Sequence, residues 1–425
     1  MTALDVSESL AWIKRHSPVE VALGAGASAA VGPFVRRRGA KHVLLVTDPH
    51  IRDAGHLRRV LASCEAAGLR VGVFDGVAEN PTTAQVEAGV RFAKTAGAMG
   101  APIDFLIGLG GGSAMDCAKG INFILSCGGA MADYRGDAPA EVLAKRPPLL
   151  PSVMIPTTAG TGSEAQSFAL ISDERTHMKM PCGDRRPPGQ GGLRPLLAVL
   201  DPDLIATAPR GVTIAVGLDA LTHALETSAC KARDEVSREA SRRAWGLLTA
   251  SFSRVLAEGK GLASAARRGG QDTAHRAVAQ VDSSALSDED MRTGMLLGAH
   301  LAGVAIERSM LGAAHSCANP LTAKFDITHG IAVGLMMPHV IAFNAGAGSG
   351  LAANPYEELG LPGTLVDTMK SYLATAGILP RLRDHGVPRE ALAGLAEGAA
   401  VQWTARFNPR EVGREELEAI FEAAW

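Results

Sequence analysis

Residues 104–120 read DFLIGLGGGSAMDCAKG. A short apolar run ends on glycines, and a pattern with helical spacing starts directly after them. A glycine-rich turn between a strand and a helix lets backbone N–H groups approach an anion closely, and the helix N-terminus adds positive potential. Gly110, Gly111, Gly112 and Ser113 fit that role. The spacing is not the Rossmann fingerprint, because Ser113 takes the third glycine position, and the Lys-Ser/Thr ending of a P-loop is missing. A tight strand-to-helix turn that binds nothing is the plainer reading of the same residues.

The same alternation extends on both sides. HVLLVTD (42–48), RVGVFDGV (70–77) and SVMIPTTAGTGSE (152–164) begin as buried-strand runs, while GHLRRVLASCEAAG (55–68) and TTAQVEAGVRFAKTAG (82–97) have helical spacing, with Thr82 or Thr83 as N-cap. Such alternation predicts a parallel sheet with helices on both faces. In PTTAGTGSE (156–164), Thr157, Thr158, Thr161 and Ser163 offer hydroxyls to a nucleotide, or else cap an empty loop. Two such loops at strand C-terminal ends lie where open α/β sheets bind ligands. Asp48 closes LLVTD, where a carboxylate accepts hydrogen bonds from an adenosine ribose and repels a 2′-phosphate. After LAVLDPDL (197–204) the chain reads as helix after helix, EVSREASRRAWGLLTASFSRVLAEG among them. The expected organisation is an α/β domain over 1–205 and an all-helical domain over 206–425. GDRRPPGQGGLRP (183–195) reads as a loop.

In the helical half, GLDALTHALE (217–226) sets Asp219 and His223 one turn apart on one helix face. Burying either without a partner is costly. GAAHSCANPLTAKFDITHG (312–330) adds His315 and His329. One carboxylate and three imidazoles make a plausible set for Fe²⁺ or Zn²⁺, although histidines in apolar segments are more often satisfied core residues. His300 and His339 are read that way, and Cys317 is a weak candidate as a soft ligand.

The composition excludes several classes. The formal charge is −2, which argues against nucleic acid or an anionic membrane as partner, and the longest basic run, FVRRRG (34–39), reads as a solvated helix end. The six cysteines are scattered without a Cys-x-x-Cys pair, as expected of free thiols in a reducing cytoplasm. The first residues carry Asp5 and Glu8 and do not read as a signal peptide. Residues 330–355 lack charge, but Pro338, His339, Asn344 and several glycines favour a buried core helix and a loop over a membrane span.

GGGSAMDCAK, PTTAGTGSE, GLDALTHALE and THGIAVGLMMPHV, in that order, resemble the iron-containing (group III) alcohol dehydrogenases, relatives of glycerol dehydrogenase and dehydroquinate synthase. The resemblance covers about residues 20–345 and implies an N-terminal dinucleotide-binding domain, a C-terminal helical metal-binding domain and a cleft between them. It implies that Asp219, His223, His315 and His329 are the metal ligands. Gly111, Gly112, Ser113 and Asp116 match the cofactor loop, Thr157, Thr158, Thr161 and Lys179 the rest of the nucleotide site, and Asn80 a further contact. Asp48 matches the position favouring NAD over NADP. The implied activity is metal-dependent, NAD-linked oxidation of small primary alcohols or diols and reduction of aldehydes, by a homodimer or larger homo-oligomer. A hydroxyacid–oxoacid transhydrogenase, a maleylacetate-type reductase and, more remotely, a silent NAD-binding assembly protein are the alternatives. One departure stands out: Asn319 occupies the position where well-studied members carry a proton-relaying histidine, and asparagine is neither acid nor base near neutrality.

Overall fold

The computed structural model describes residues 5–98, 101–136, 138–176, 178–257, 286–346 and 353–425. They fall into two compact units, Val6–Ala208 and Pro209–Trp425. The first is built on six parallel strands: β1 (Glu20–Leu23), β2 (His42–Val46), β3 (Arg70–Phe74), β4 (Phe105–Gly110), β5 (Ser152–Pro156) and β8 (Leu197–Leu200). Their order across the sheet is β1-β8-β5-β4-β2-β3. β2, β4, β5 and β8 are buried throughout, as the unbroken apolar runs require of strands covered on both faces. The period of two sorts their side chains: Val43, Leu45 and Ile107 pack on one face, Leu44, Val46 and Leu106 on the other. Helices such as Thr83–Ala98 and Gly112–Cys127 form the crossovers.

This topology positions the ligand loops. From β2 the chain moves outward to β3, then returns to β4 and continues to β5 in the opposite direction. The reversal lies between β2 and β4, and the crevice beyond the C-terminal ends of strands at such a switch point is where open sheets bind ligands. Asp48 follows β2 there, and the glycine loop follows β4.

An antiparallel pair, β6 (Phe168–Ser172) and β7 (Lys179–Gly183), was not expected from the sequence. A buried lysine ties it to the glycine-loop helix. Lys119, 1% exposed, donates to the Ser163 carbonyl at 2.6 Å, Ser163 Oγ at 2.8 Å and the Phe168 carbonyl at 2.8 Å, which uses all three of its protons. Ser163 Oγ in turn donates to Asp116 Oδ1 at 2.6 Å, and Asp116 Oδ2 accepts the Leu170 N–H at 3.0 Å. The 183–195 loop is held just as specifically. Arg186 grips the buried Asp184 through Nε (3.0 Å) and Nη2 (2.8 Å), and donates to the carbonyls of Arg146 and Pro147 at 3.0 and 3.1 Å. A run of Gly, Pro and Arg is thereby pinned as a fixed connection to β8.

In the second unit every regular element among the described residues is helical. The α-helices are Arg210–Ala229, Glu235–Ala257, Asp288–Arg308, Ala313–Phe325, His329–Ala345, Pro362–Ala376, Leu392–Ala400 and Arg414–Ala424. Arg210–Ala229 is the central one, with every residue from Gly217 to Ala229 buried. No helix among the described residues is long and apolar enough to cross a membrane. His300 is fully buried in the Asp288–Arg308 helix, and His339 sits apart from the other histidines, its pKa lowered to about 4 by burial and by Lys370.

Lys119→Met keeps the volume and leaves Asp116 without its buried cation. Stranding one member of a buried ion pair costs about 3–5 kcal/mol. Urea denaturation followed by circular dichroism is expected to show a loss of that size, and an unchanged midpoint would show that the clasp does not stabilise the unit.

Candidate metal centre and nucleotide loops

Asp219, His223 and Glu226 occupy positions i, i+4 and i+7 of the central helix and form an ionisable stripe on a helix whose other buried residues are Leu, Ala, Gly, Ile and small hydroxyl side chains. Two other helices bring histidines to that stripe through their first turns. His315 is the third residue of Ala313–Phe325, and His329 is the first of His329–Ala345. The last helix can start so close because its second residue is glycine: a Cβ on Gly330 would lie 1.9 Å from the Ala215 carbonyl oxygen.

Three imidazoles converge on one oxygen. Asp219 Oδ1 is 3.4 Å from His223 Nε2, 3.4 Å from His315 Nε2 and 3.9 Å from His329 Nε2. These separations exceed ordinary hydrogen bonds, and Asp219 Oδ1 and His315 Nε2 have no hydrogen-bond partner among the described residues. The rings of His223 and His315 stack at 4.8 Å. Asp219 and the rings of His223 and His315 are buried, whereas the His329 side chain is 29% exposed and marks the open side.

The electrostatics favour a cation. Burial pushes the Asp219 carboxyl up, but the imidazoles of His223, His315 and His329 outweigh it and hold it well below the usual carboxylate range. Burial lowers His315, yet Glu226 and Asp219 together raise it to about 9. Two buried carboxylates thus favour positive charge at this point. Mutually facing groups of mixed carboxylate and imidazole character, with Asp219 Oδ1 and His315 Nε2 buried and without a hydrogen bond among the described residues, fit a divalent transition ion. Asp219, His223 and His315 lie within 4.8 Å of one another as a potential ligand group, and His329 adjoins them. Cys317, though buried close by in the same helix, is outside that group.

Glu226 is the buried carboxylate of this cluster to which the sequence reading gave no role. It ends the quoted GLDALTHALE stretch, and its signal was its spacing, seven residues past Asp219 and three past His223. Its Oε2 lies 2.5 Å from His315 Nδ1. Burial raises its carboxyl, and His315 with the Gly312 and Ala314 amides more than reverses that. Asn319, one turn past His315, donates from Nδ2 to Gln402 Oε1 at 2.9 Å.

In the α/β unit the two loops anticipated for a nucleotide meet at the ends of β4 and β5. A Cβ on Gly111 would lie 3.4 Å from Thr158 Oγ1, and one on Gly112 2.7 Å from Thr161 Cγ2. The Asn80 N–H donates to Ser113 Oγ at 3.2 Å. Thr157 Oγ1 is buried with no hydrogen-bond partner among the described residues, as suits a group kept for a ligand. Gly110 adopts φ +147°, and a Cβ there would be 3.2 Å from Asp48 Oδ2, so glycine brings the loop against Asp48. Asp48 Oδ1 also caps the Pro49–Asp53 helix by accepting the Ile51 N–H. Asp116 differs from the others, because both of its oxygens are engaged by Ser163 and Leu170; Lys179, on β7, acts on it electrostatically.

The site and the fold together define a two-unit protein with glycine- and threonine-rich loops at strand ends in one unit, and Asp219 with three converging histidines in the other. The iron-containing alcohol dehydrogenase model matches residues 18–202, and the model of that family's C-terminal region matches residues 274–425. The chain belongs to the iron-containing alcohol dehydrogenase family. It is 30% identical to the NAD-dependent methanol dehydrogenase of Bacillus methanolicus, over 96% of this chain and 98% of that one. It is 31% identical to lactaldehyde reductase of Escherichia coli strain K12, over 95% and 97%. Among solved structures, a 1,3-propanediol oxidoreductase superposes with a TM-score of 0.78 at 27% identity, covering 96% of this chain and 98% of that one.

Gly330→Ala inserts a methyl group against a backbone carbonyl that cannot give way cheaply. Overpacking of this kind costs about 1–3 kcal/mol, equivalent to roughly 2–4 °C of melting temperature per kcal/mol. A lowered melting temperature and poorer retention of divalent metal on dialysis are expected. Wild-type values for both would show that the contact does not set the position of His329.

Proposed function

We propose that the protein is a metal-dependent, NAD(H)-linked alcohol dehydrogenase and aldehyde reductase acting on small primary alcohols, aldehydes or diols. The convergence of three imidazoles on Asp219 Oδ1 carries this reading. Methanol, lactaldehyde and 1,3-propanediol, the compounds in the relatives' names, support the substrate class, and the methanol enzyme's name supports NAD. The family name favours Fe²⁺, although the donor set also suits Zn²⁺. The compact units support a nucleotide-binding domain over 1–205 and a metal-binding domain over 206–425. Six free thiols accord with a reducing cytoplasm. A homodimer or larger assembly follows from the resemblance alone.

Asp219, His223, His315 and His329 would hold a divalent ion, which when bound would supply Lewis acidity toward the substrate oxygen, and the glycine loop would hold NAD(H), which would supply or accept the hydride. The protein's own groups bind and orient. Asp219 stays ionised across the working pH range because its carboxyl is held low. The glycine-loop amides and the N-terminus of Gly112–Cys127 would receive the cofactor phosphates, Asn80, Thr157, Thr158 and Thr161 its polar groups, and Asp48 its adenosine ribose. Asp116 acts from behind, bonded to Ser163 and Leu170, with Lys179 influencing it electrostatically. Asn319 stands at the relay position without relaying, because an amide moves no proton near neutrality.

The deciding assay is anaerobic NADH oxidation by chelator-stripped protein, with small aldehydes and Fe²⁺, Zn²⁺ or no metal added. Metal-dependent turnover is expected, and equal turnover without metal would sink the reading. His329→Ala is expected to lose metal and turnover by roughly 100-fold or more, with NADH binding near wild type; undiminished activity would remove His329 from the ligand set. Asp48→Asn keeps an N-cap acceptor and removes the charge. Its NADP-to-NAD ratio of kcat/KM is expected to rise by roughly tenfold, or about 1.4 kcal/mol. An unaltered ratio would take Asp48 out of cofactor selection.

A further inference from the structure

Glu226 is a buried carboxylate that the proposed reaction leaves without a task. Its side chain is 2% exposed, and the central helix sets it two turns past Asp219 on the face that carries His223. Oε1 accepts the Ala314 N–H at 2.7 Å and lies 3.4 Å from the His315 amide, and the Gly312 N–H also bonds the carboxylate. These amides belong to the first turn of the Ala313–Phe325 helix, whose N–H groups have no partner within that helix. Oε2 faces His315 Nδ1 at 2.5 Å. An ionised carboxylate can only accept, so Nδ1 carries the proton. The opposite nitrogen, Nε2, faces Asp219 Oδ1 at 3.4 Å and has no hydrogen bond among the described residues.

We propose that Glu226 is the positioning residue of the metal centre, fixing the ring orientation and tautomer of His315 so that Nε2 is the nitrogen presented to a divalent ion. The inference rests on the metal reading above. A single carboxylate performs two tasks: one oxygen anchors the turn that carries His315, and the other receives the imidazole N–H. The ring cannot flip without breaking the Nδ1 bond, and the turn cannot shift without breaking the amide bonds. Carboxylate partners of this kind hold ligand histidines in place and raise their basicity. A second buried network grips the same turn without touching the ring. Asn408 Oδ1 accepts the Ala313 N–H at 3.3 Å, Asn408 Nδ2 donates to Asn344 Oδ1 at 2.7 Å, and Asn344 Nδ2 donates to the Tyr356 hydroxyl at 2.8 Å. This network provides an internal control.

The test titrates Co²⁺ into chelator-stripped wild type, Glu226→Gln and Asn344→Ala, reading Kd and the visible d–d spectrum alongside melting temperature. Wild type is expected to take up one ion per chain. Glu226→Gln keeps the shape and removes the charge, and its Kd is expected to rise by roughly 10–100-fold with altered d–d bands. Asn344→Ala is expected to melt lower while keeping the wild-type spectrum and a Kd within about threefold. Wild-type Kd and spectrum in Glu226→Gln would overturn the proposal. An equal loss of affinity in Asn344→Ala would also overturn it, since general loosening would then explain both. Failure of wild type to bind Co²⁺ or any other divalent ion would instead remove the metal reading itself. If Glu226→Gln does not fold, ¹⁵N-histidine NMR of the zinc-loaded wild type decides the matter. A slowly exchanging His315 Nδ1–H with zinc on Nε2 supports the proposal, and zinc on Nδ1 overturns it.

Discussion

The carboxylate of Asp219 is buried in the middle of a helix that is itself the centre of its unit, and the helices around it are arranged to answer that charge. An isolated carboxylate there is too costly to keep. Lysine and arginine are absent from the answer; imidazoles supply it, carried on the first turns of two neighbouring helices. That choice constrains the packing. His329 reaches Asp219 because Gly330 lets its helix start against the Ala215 carbonyl, and His315 reaches it because Glu226 and Asn408 hold the turn before it.

The α/β unit contains a second buried carboxylate, and the contrast between the two separates structural from ligand-binding charge. Asp116 has a permanent cation within the fold, since Lys119 sits 3.8 Å away and shares Ser163 with it. Both of its oxygens are used. That arrangement is complete without a ligand, and its effect is to lock the helix after the glycine loop and the Thr157–Ser163 loop to the β6–β7 pair. Asp219 has only titratable imidazoles, one oxygen without a hydrogen bond and a second carboxylate, Glu226, close behind His315. Such a set is balanced either by protons on the imidazoles or by a divalent ion, and the two compete, because a metal binds only to the deprotonated donors.

The sequence made the sheet legible because strands covered on both faces must be apolar without interruption, and VLLV (43–46) and FLIGLG (105–110) are. The glycine loop and the Asp-x-x-x-His pair were legible for the same kind of local reason, a turn chemistry in one case and a helical spacing in the other. What local patterns could not carry was partnership across distant segments. KMPCG pairs with FALIS as β7 with β6, yet a proline and a glycine make it a poor strand signal. The ordering of the 183–195 loop depends on Arg186 finding Asp184 and two carbonyls near residue 146. Lys119 and Glu226 each lay inside a quoted motif, but their roles come from residues 44 and 89 positions away in the chain.

Asn319 shows how a substitution within the motif follows from its surroundings. It lies one turn beyond His315 on a helix fixed by Glu226, and its amide is bonded to Gln402, whose own Nε2 donates to the Gly398 carbonyl. A histidine would have to break or remake that pairing, whereas an asparagine completes it with a donor and an acceptor in fixed places. The position therefore serves as a structural bridge between the His315 helix and the Leu392–Ala400 helix. In the proposed reaction residue 319 then offers the proton of the alcohol no carrier, and the 29% exposed His329 marks the side from which water can take that part. Because a histidine at this position would have to titrate to act as a carrier, the amide frees this step from the protonation state of residue 319 and makes it depend on how readily water reaches the open face of the centre.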